Sequence, residues 1–237
     1  FLANHWRSKT SPNASENYLY HLANSNLVAF VEYMSNNLDS LEQFNSTAIA
    51  AIVNSSIEQN EHSEELIYLE CKIAAYRLEP DIIRENLIYL GDKHSIEMEF
   101  VLAKIEARIE DCDALLDEVL KNCTPLEGVR TLISLANQCL EDRLPGERIS
   151  QANLDRVENY LSQISLADLQ EGRQSVIVAI SLIRFSIALN RQDYSATSEI
   201  LQSLTTIGPI DDSVIVHLQA KIELERYHNG LISVSYT

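Results

Sequence analysis

The sequence contains few of the residues that make tight turns. Its 237 residues include six glycines and five prolines, whereas average usage would supply roughly 28 of the two together. A β-sandwich or barrel needs a turn about every 8–12 residues, so this scarcity argues against a many-stranded fold. Hydrophobic residues make up 46% of the chain, which is enough for a sizeable core. The composition therefore favours long helices packed on one another.

Basic residues are also scarce. Lys and Arg number 18 against 35 Asp and Glu, a formal net charge of −17. Such a chain repels phosphates, which argues against a nucleic-acid partner. The sequence lacks a P-loop, a nucleophile elbow and paired metal-ligand histidines. Its one E-x-x-H motif lies at Glu225 and His228, whereas a di-iron bundle needs two such motifs and two further glutamates. We therefore predict that the chain is not an enzyme and carries no cofactor and no metal.

The cysteines form no C-x-x-C pair, so neither a zinc site nor a redox motif is predicted. Cys71, Cys112, Cys123 and Cys139 each lie in an apolar, helical-looking context. We interpret them as reduced, mostly buried thiols. A disulfide between Cys112 and Cys123 is the alternative that the even count leaves open.

The two ends of the chain differ from the rest. Residues 1–12 form an N-terminal extension whose apolar start, Trp6 and following basic residues fit either the exit of a membrane helix or an ordinary frayed end. In the tail formed by residues 231–237, apolar and polar residues alternate with period two. We interpret this tail either as a strand or as an unstructured end. The most apolar run, 176–189, is too short for a membrane span and contains Arg184. We predict no span within the chain and leave open an anchor upstream of Phe1.

Apolar residues recur with helical spacing between the few turn-formers. Leu66, Leu69, Ile73 and Tyr76, for example, form one stripe of an amphipathic helix. The pattern predicts an all-α chain of about eleven or twelve helices. They are expected near 14–24, 26–37, 39–59, 62–79, 81–90, 94–110, 112–122, 125–142, 149–163, 171–190, 193–206 and 210–228.

An internal echo indicates helical repeats. The segment CKIAA at 71–75 returns as AKIEA at 103–107 and as AKIEL at 220–224, and a weaker copy fits when Ala196 is set against Ala114. Each unit reads as a long helix, a tight turn and a shorter helix, about 32 to 39 residues together. One such pair cannot bury its apolar face alone, so stacked pairs are expected to form an α-solenoid. A single irregular bundle is the alternative.

The domain organisation follows from this echo. Residues 13–60 match the repeat poorly and are expected to form an N-terminal helical cap, whereas 61–230 hold the repeats, with an insertion loop at 141–148. The unit length and the stretch Asp193-Tyr194-Ser195-Ala196 at the start of a second helix resemble tetratricopeptide repeats. That resemblance implies antiparallel helix pairs, a concave surface lined by the first helix of each pair, and binding of a protein partner.

One basic feature recurs in this acidic chain. Lysines occupy the same position of the echo, each followed by an arginine, and we predict a partner-binding row for carboxylates. The predicted row consists of Lys72, Lys104, Lys221, Arg77, Arg108 and Arg226. The alternative is that each lysine is solvated and paired with a nearby glutamate, a contact of only about 0.3–0.5 kcal/mol.

These features predict a non-enzymatic scaffold or adaptor that binds a partner peptide or helix in the concave groove. The alternative is an extracytoplasmic sensing domain of a membrane-anchored signalling or transcription regulator. The first interpretation favours a cytoplasmic location and the second an extracytoplasmic one. A homo-oligomer is left open.

Overall fold

Helices are the regular secondary structure of the chain wherever its structure is described. The computed structural model describes residues 14–37, 46–60, 63–141, 148–167, 169, 172–207 and 212–228. Within these ranges the all-α prediction is confirmed, because they contain α-helices, one short 3-10 helix and no strand. The predicted extension at 1–12, the tail at 231–237 and most of the predicted insertion loop lie outside the described residues.

The described residues form twelve α-helices, numbered here in chain order. Their bounds are α1 Ala14–Ser25, α2 Leu27–Asn36, α3 Ser46–Gln59, α4 Glu64–Tyr76, α5 Pro80–Asn86, α6 Asp92–Ile105, α7 Ile109–Asn122, α8 Pro125–Glu141, α9 Gln151–Ser162, α10 Arg173–Asn190, α11 Tyr194–Ile207 and α12 Asp212–His228. The 3-10 helix, Leu87–Tyr89, extends α5 by one turn.

The chain separates into two compact units, residues 1–119 and 120–237. In the first unit each helix from α1 to α6 contacts its neighbours or next neighbours, and α4 packs on both α5 and α6. One hydrophobic core runs from Leu19 through Phe30 and Ile49 to Ile73 and Met98. The segment that the sequence predicted as a cap therefore shares its core with the first helix pairs.

The second unit has the same contact pattern. Helix α8 packs on α9 and on α10, while α11 packs on α10 and α12. Contacts between consecutive helices, and between every second helix, are those of stacked antiparallel pairs. The helix-pair contacts within each unit thus agree with the predicted solenoid-like arrangement.

Two predicted helix boundaries were wrong around residue 107. The sequence predicted helices at 94–110 and 112–122, but α6 ends at Ile105 and α7 begins at Ile109. The turn between them contains neither glycine nor proline, and Ala107 supplies the left-handed conformation with a φ of 55°. Turn prediction from Gly and Pro alone could not place it.

Candidate functional site

The same turn ends the first helix of three pairs. Leu78, Ala107 and Gln192 follow α4, α6 and α10, and their φ values are 57°, 55° and 61°. In each case the next residue donates its backbone N–H to the carbonyl five residues back, at 2.8–2.9 Å. This is the Schellman arrangement, which usually places glycine at the left-handed position. The three turns give a structural register for comparing the pairs.

This register differs from the sequence echo by three residues. The accepting carbonyls belong to Ala74, Ala103 and Ala188, so the second pair follows the first by 29 residues, whereas the echo set Lys72 against Lys104, 32 residues apart. A shift of three residues is close to one helical turn, so it keeps apolar residues on the same face. Hydrophobic spacing alone could not exclude the shifted alignment.

Burial supports the structural register. Cys71, Phe100 and Phe185 occupy one position and are 0%, 4% and 1% exposed. Four further positions are buried in all three pairs. Their occupants are Leu69, Met98 and Ile183; Ile73, Leu102 and Ile187; Ala74, Ala103 and Ala188; and Ile83, Cys112 and Thr197. The three pairs are therefore versions of one packing unit.

A groove opens beside the second pair. It has a volume of about 350 Å³ and is lined by α6, α7 and the end of the preceding short helix. Its residues are Leu87, Glu99, Leu102, Ala103, Arg108, Asp111, Ala114 and Leu115. Leucine and alanine side chains form the floor, and charged side chains form the rim. We call it the α6–α7 groove.

A larger groove opens beside the pair α10–α11. It has a volume of about 480 Å³ and is lined by α9, α10 and α11. Its residues are Glu158, Leu161, Ser162, Arg184, Ile187, Ala188, Arg191, Asp193, Ala196 and Ile200. We call it the α10–α11 groove.

The two grooves are built from equivalent positions. Counted from the shared turn, six lining residues of one groove match six of the other. The matched pairs are Glu99 and Arg184, Leu102 and Ile187, Ala103 and Ala188, Arg108 and Asp193, Asp111 and Ala196, and Leu115 and Ile200. The floor is conserved in character, while the charge is reversed at two rim positions. The repeat thus supplies the same groove twice with different rim chemistry.

In the pair α4–α5, side chains of the protein itself occupy the position that is equivalent to the two grooves. Glu70 is the equivalent of Glu99 and Arg184. Asn86 is the equivalent of Leu115 and Ile200. The Nδ2 of Asn86 donates a hydrogen bond of 2.8 Å to Oε2 of Glu70. With its amide turned to donate, Asn54 of α3 also lies 2.8 Å from Glu70 Oε1. Burial raises the pKa of this half-buried carboxyl, and the Asn86 hydrogen bond opposes the rise.

Four members of the predicted basic row form ion pairs. Lys72 binds Glu97. Arg77 contacts Glu79 at 2.8 Å. The remaining two are Arg108, which contacts Glu106 at 2.8 Å and also binds Asp111, and Arg226, which lies 3.4 Å from Glu223. At these four positions the structure agrees with the alternative in which carboxylates of the chain itself pair with the bases.

The other two members differ from each other. Lys104 is half-buried, and burial lowers the pKa of its ammonium group. Lys221 is exposed on α12. In the structural register Lys104 matches Ala75 rather than Lys72, so these two lysines lie at different positions of their helices. The turn that would place Lys221 in this register lies outside the described residues.

A polar cluster joins α4 to α6 around Lys72. Tyr68 donates its hydroxyl to Glu97 at 2.7 Å, and its ring stacks on His94 with 4.1 Å between ring centroids. His94 Nδ1 lies 2.9 Å from Glu64 Oε1. The backbone N–H of Gly91 and the His94 ring lower the pKa of Glu64. These contacts connect the two helices through satisfied polar groups.

The cysteines and histidines form no metal centre in the described ranges. No group of three or more His, Cys, Asp or Glu side chains there is arranged to hold an ion. Cys71, Cys112 and Cys139 are buried and Cys123 is half-buried, and all four are thiols rather than disulfides. The predicted reduced state is thus the one found, and the open Cys112–Cys123 alternative is not. Burial raises the pKa of Cys71 to about 12.

Among the described helices, α10 alone is long and apolar enough for membrane crossing by length and composition. Core helices of soluble proteins meet the same criterion. Phe185 and Ile183 of α10 are 1% and 2% exposed within the unit, and Phe185 packs in one core with Leu204 of α11.

No known protein family, curated protein or solved structure matches this chain. The groove residues were not predicted from the sequence, except that Arg108 was assigned to the basic row. A signal was present in the recurrence of alanine at Ala103 and Ala188. It could have been found only by aligning the pairs on turns that contain no glycine.

Proposed function

We propose that this protein is a non-enzymatic interaction module whose helical repeats bind a peptide or helix of a partner protein. The observation that carries the proposal is the recurrence of one open groove at equivalent positions of two helix pairs. Repeat architectures bind partners by varying side chains on a constant backbone frame. The matched floors and reversed rims of these grooves follow that scheme.

The chemistry of each groove suits a peptide side chain. Leu102 and Leu115 in one groove, and Ile187 and Ile200 in the other, offer apolar contact for an aliphatic group. Charged rim residues would orient the peptide and exclude mismatched sequences. Cores of this kind surrounded by polar rims are typical of protein interfaces.

The predicted basic row remains a separate part of the proposal. Lys221 is the member best placed to meet a partner, because it is exposed and makes no ion pair among the residues that the structure describes. Changing Lys72, Lys104 and Lys221 together to glutamate should abolish partner capture if the row binds carboxylates. Retained binding in that variant would remove the row from the proposal and leave the grooves.

The test of the module is to fill both grooves. A random peptide library displayed on phage is selected against the chain, and affinities of enriched peptides are measured by fluorescence polarisation. Ala114→Trp combined with Ala196→Trp places an indole in each groove and should weaken binding by about tenfold or more. The matched control is Ala51→Trp combined with Ala152→Trp, at exposed alanines outside both grooves. Equal affinity of the two double variants would contradict the proposal.

The second candidate is the sensing domain, and the volume of the α10–α11 groove is the observation in its favour. About 480 Å³ lies within the roughly 300–1,000 Å³ range of small-molecule sites. A small-molecule screen by thermal shift separates the two functions. Stabilisation by a compound that Ala196→Trp abolishes, together with no enriched peptide, would favour the sensor.

A further inference from the structure

The charges of the α10–α11 groove are unequally satisfied. Arg191 Nη2 lies 2.7 Å from Glu158 Oε1, so these two rim charges neutralise each other. Asp193 Oδ1 accepts the backbone N–H of Ala196 at 3.0 Å, which caps the start of α11. Arg184 is exposed and forms no ion pair with any residue that the structure describes. The Arg184 guanidinium is therefore the rim cation that has no ion-pair partner among the described residues, and the Asp193 carboxylate lies in the same rim.

Arg184 stands directly beside the apolar floor. It shares one face of α10 with Ile187, Ala188 and Arg191, at the i, i+3, i+4 and i+7 positions. A ligand that meets the guanidinium therefore also meets the aliphatic side chains. A guanidinium binds carboxylates through two parallel hydrogen bonds, which fixes orientation as well as charge.

The α6–α7 groove provides the contrasting case within the same chain. Its equivalent of Arg184 is Glu99, which is exposed and accepts a hydrogen bond of 3.1 Å from Ser95 Oγ. Arg108 in that rim is already bound by Glu106 and Asp111. The floor residues are alike, while the charge is opposite at the Glu99/Arg184 position and at the Arg108/Asp193 position, so the rim distinguishes the ligands of the two grooves.

We infer that the α10–α11 groove binds an acidic peptide segment in which an aspartate or glutamate lies next to an aliphatic residue. The carboxylate binds Arg184, and the aliphatic side chain packs on Ile187 and Ile200. This inference rests on the proposed function, since it names the partner chemistry of one of the proposed grooves. Because the chain is strongly acidic, an acidic segment needs a cation where it docks, and Arg184 supplies one at the rim of this groove.

The experiment uses the enriched peptides from the phage selection as probes. Peptides that bind the α10–α11 groove should carry the acidic and aliphatic pair and lose about tenfold in affinity when Arg184→Glu is introduced. Replacing the peptide's acidic residue by lysine should restore affinity toward that variant. Arg173→Glu makes the same charge change at an exposed position of α10 outside the groove, and should leave affinity unchanged.

The outcomes separate this inference from the proposed function. If enriched peptides bind wild type, Arg184→Glu and Arg173→Glu equally, the inference is overturned while the module survives. If no peptide is enriched, both are overturned. Should Arg184→Glu unfold, as judged by circular dichroism, Arg184→Gln takes its place with the same expected direction and about a threefold loss.

Discussion

The helix pairs α4–α5 and α10–α11 share the same backbone turn and differ in the side chains at their groove positions. Both first helices end in a Schellman turn with a left-handed residue, Leu78 or Gln192. The first pair covers its groove position with the hydrogen bond between Glu70 and Asn86. The second pair leaves about 480 Å³ open, with Arg184 at the rim.

The comparison separates the residues that build the repeat from those that give it a site. Buried positions keep their apolar or small character in both pairs, because a lost contact there affects the packing of every neighbouring helix. Rim positions vary freely between glutamate and arginine. The equivalents of Glu70 and Asn86 in the open pair are Arg184 and Ile200, so this hydrogen bond cannot form there.

The largest expected effect compares the two pairs at one buried position of the shared register. Phe185→Ala removes an aromatic ring that is 1% exposed and should lower the free energy of unfolding by about 3–5 kcal/mol. Cys71→Ala removes only a thiol at the equivalent position and should cost about 1 kcal/mol. Urea denaturation measures both. Similar losses for the two variants would show that the Phe185 ring is not packed in the core as the structure places it.

The second prediction seals the open pair. Arg184→Glu combined with Ile200→Asn copies Glu70 and Asn86 into α10–α11, and the expected hydrogen bond across the groove should weaken peptide binding by about tenfold or more. Fluorescence polarisation with the selected peptides is the measurement. Arg184→Glu alone and Ile200→Asn alone are the controls, because the first changes only the charge, the second loses only aliphatic contact, and neither forms the hydrogen bond. Undiminished binding by the double variant would show that the groove is not the site.

The third prediction concerns the shared turn. Leu78→Gly and Gln192→Gly should each raise the free energy of unfolding by about 0.5–1 kcal/mol, because glycine adopts positive φ without the steric cost that other residues have. Leu78 is 70% exposed, so little burial is lost. Ala114→Gly in the exposed part of α7 should instead lower stability by about 1 kcal/mol. Destabilisation by both turn glycines would contradict the assigned conformation.

The smallest expected effect concerns Glu70. Its raised pKa means that the folded chain holds this proton more tightly than the unfolded chain does. Its stabilising contribution is therefore complete below the ordinary value of 4.5 and is lost as pH rises through the raised value. Glu70→Gln removes that loss. The free energy of unfolding of this variant should exceed that of wild type by about 0.5 kcal/mol near pH 7 but not near pH 4. The difference is small because solvent screens a half-exposed group.

Thermal unfolding at the two pH values measures this difference. Glu32→Gln, at an exposed position of α2, controls for the removal of one negative charge. A Glu70→Gln variant that is less stable than wild type near pH 7 would show that the ionised hydrogen bond to Asn86 outweighs the cost of burial.

The sequence predicted the helices better than the connections between them. Apolar spacing identified α4 through Leu66, Leu69 and Ile73, all of which are buried. The sequence gives no signal for the turn at Ala107, because alanine is not a turn-former, yet this residue takes the left-handed conformation with a φ of 55°. The lysine echo aligns the helix pairs three residues away from the structural register, because apolar residues stay on the same helical face after a shift of about one turn.

The sequence by itself determined that this chain is helical, repetitive and acidic, because hydrophobic period and composition are local properties that survive without knowledge of contacts. Only the tertiary structure decided which residues are equivalent between pairs, since that depends on where each helix stops. It also decided that Glu70 is covered by Asn86 while Arg184 faces an open groove. Side chains distant in sequence come into contact only after the helices have packed, and the candidate site consists of such contacts.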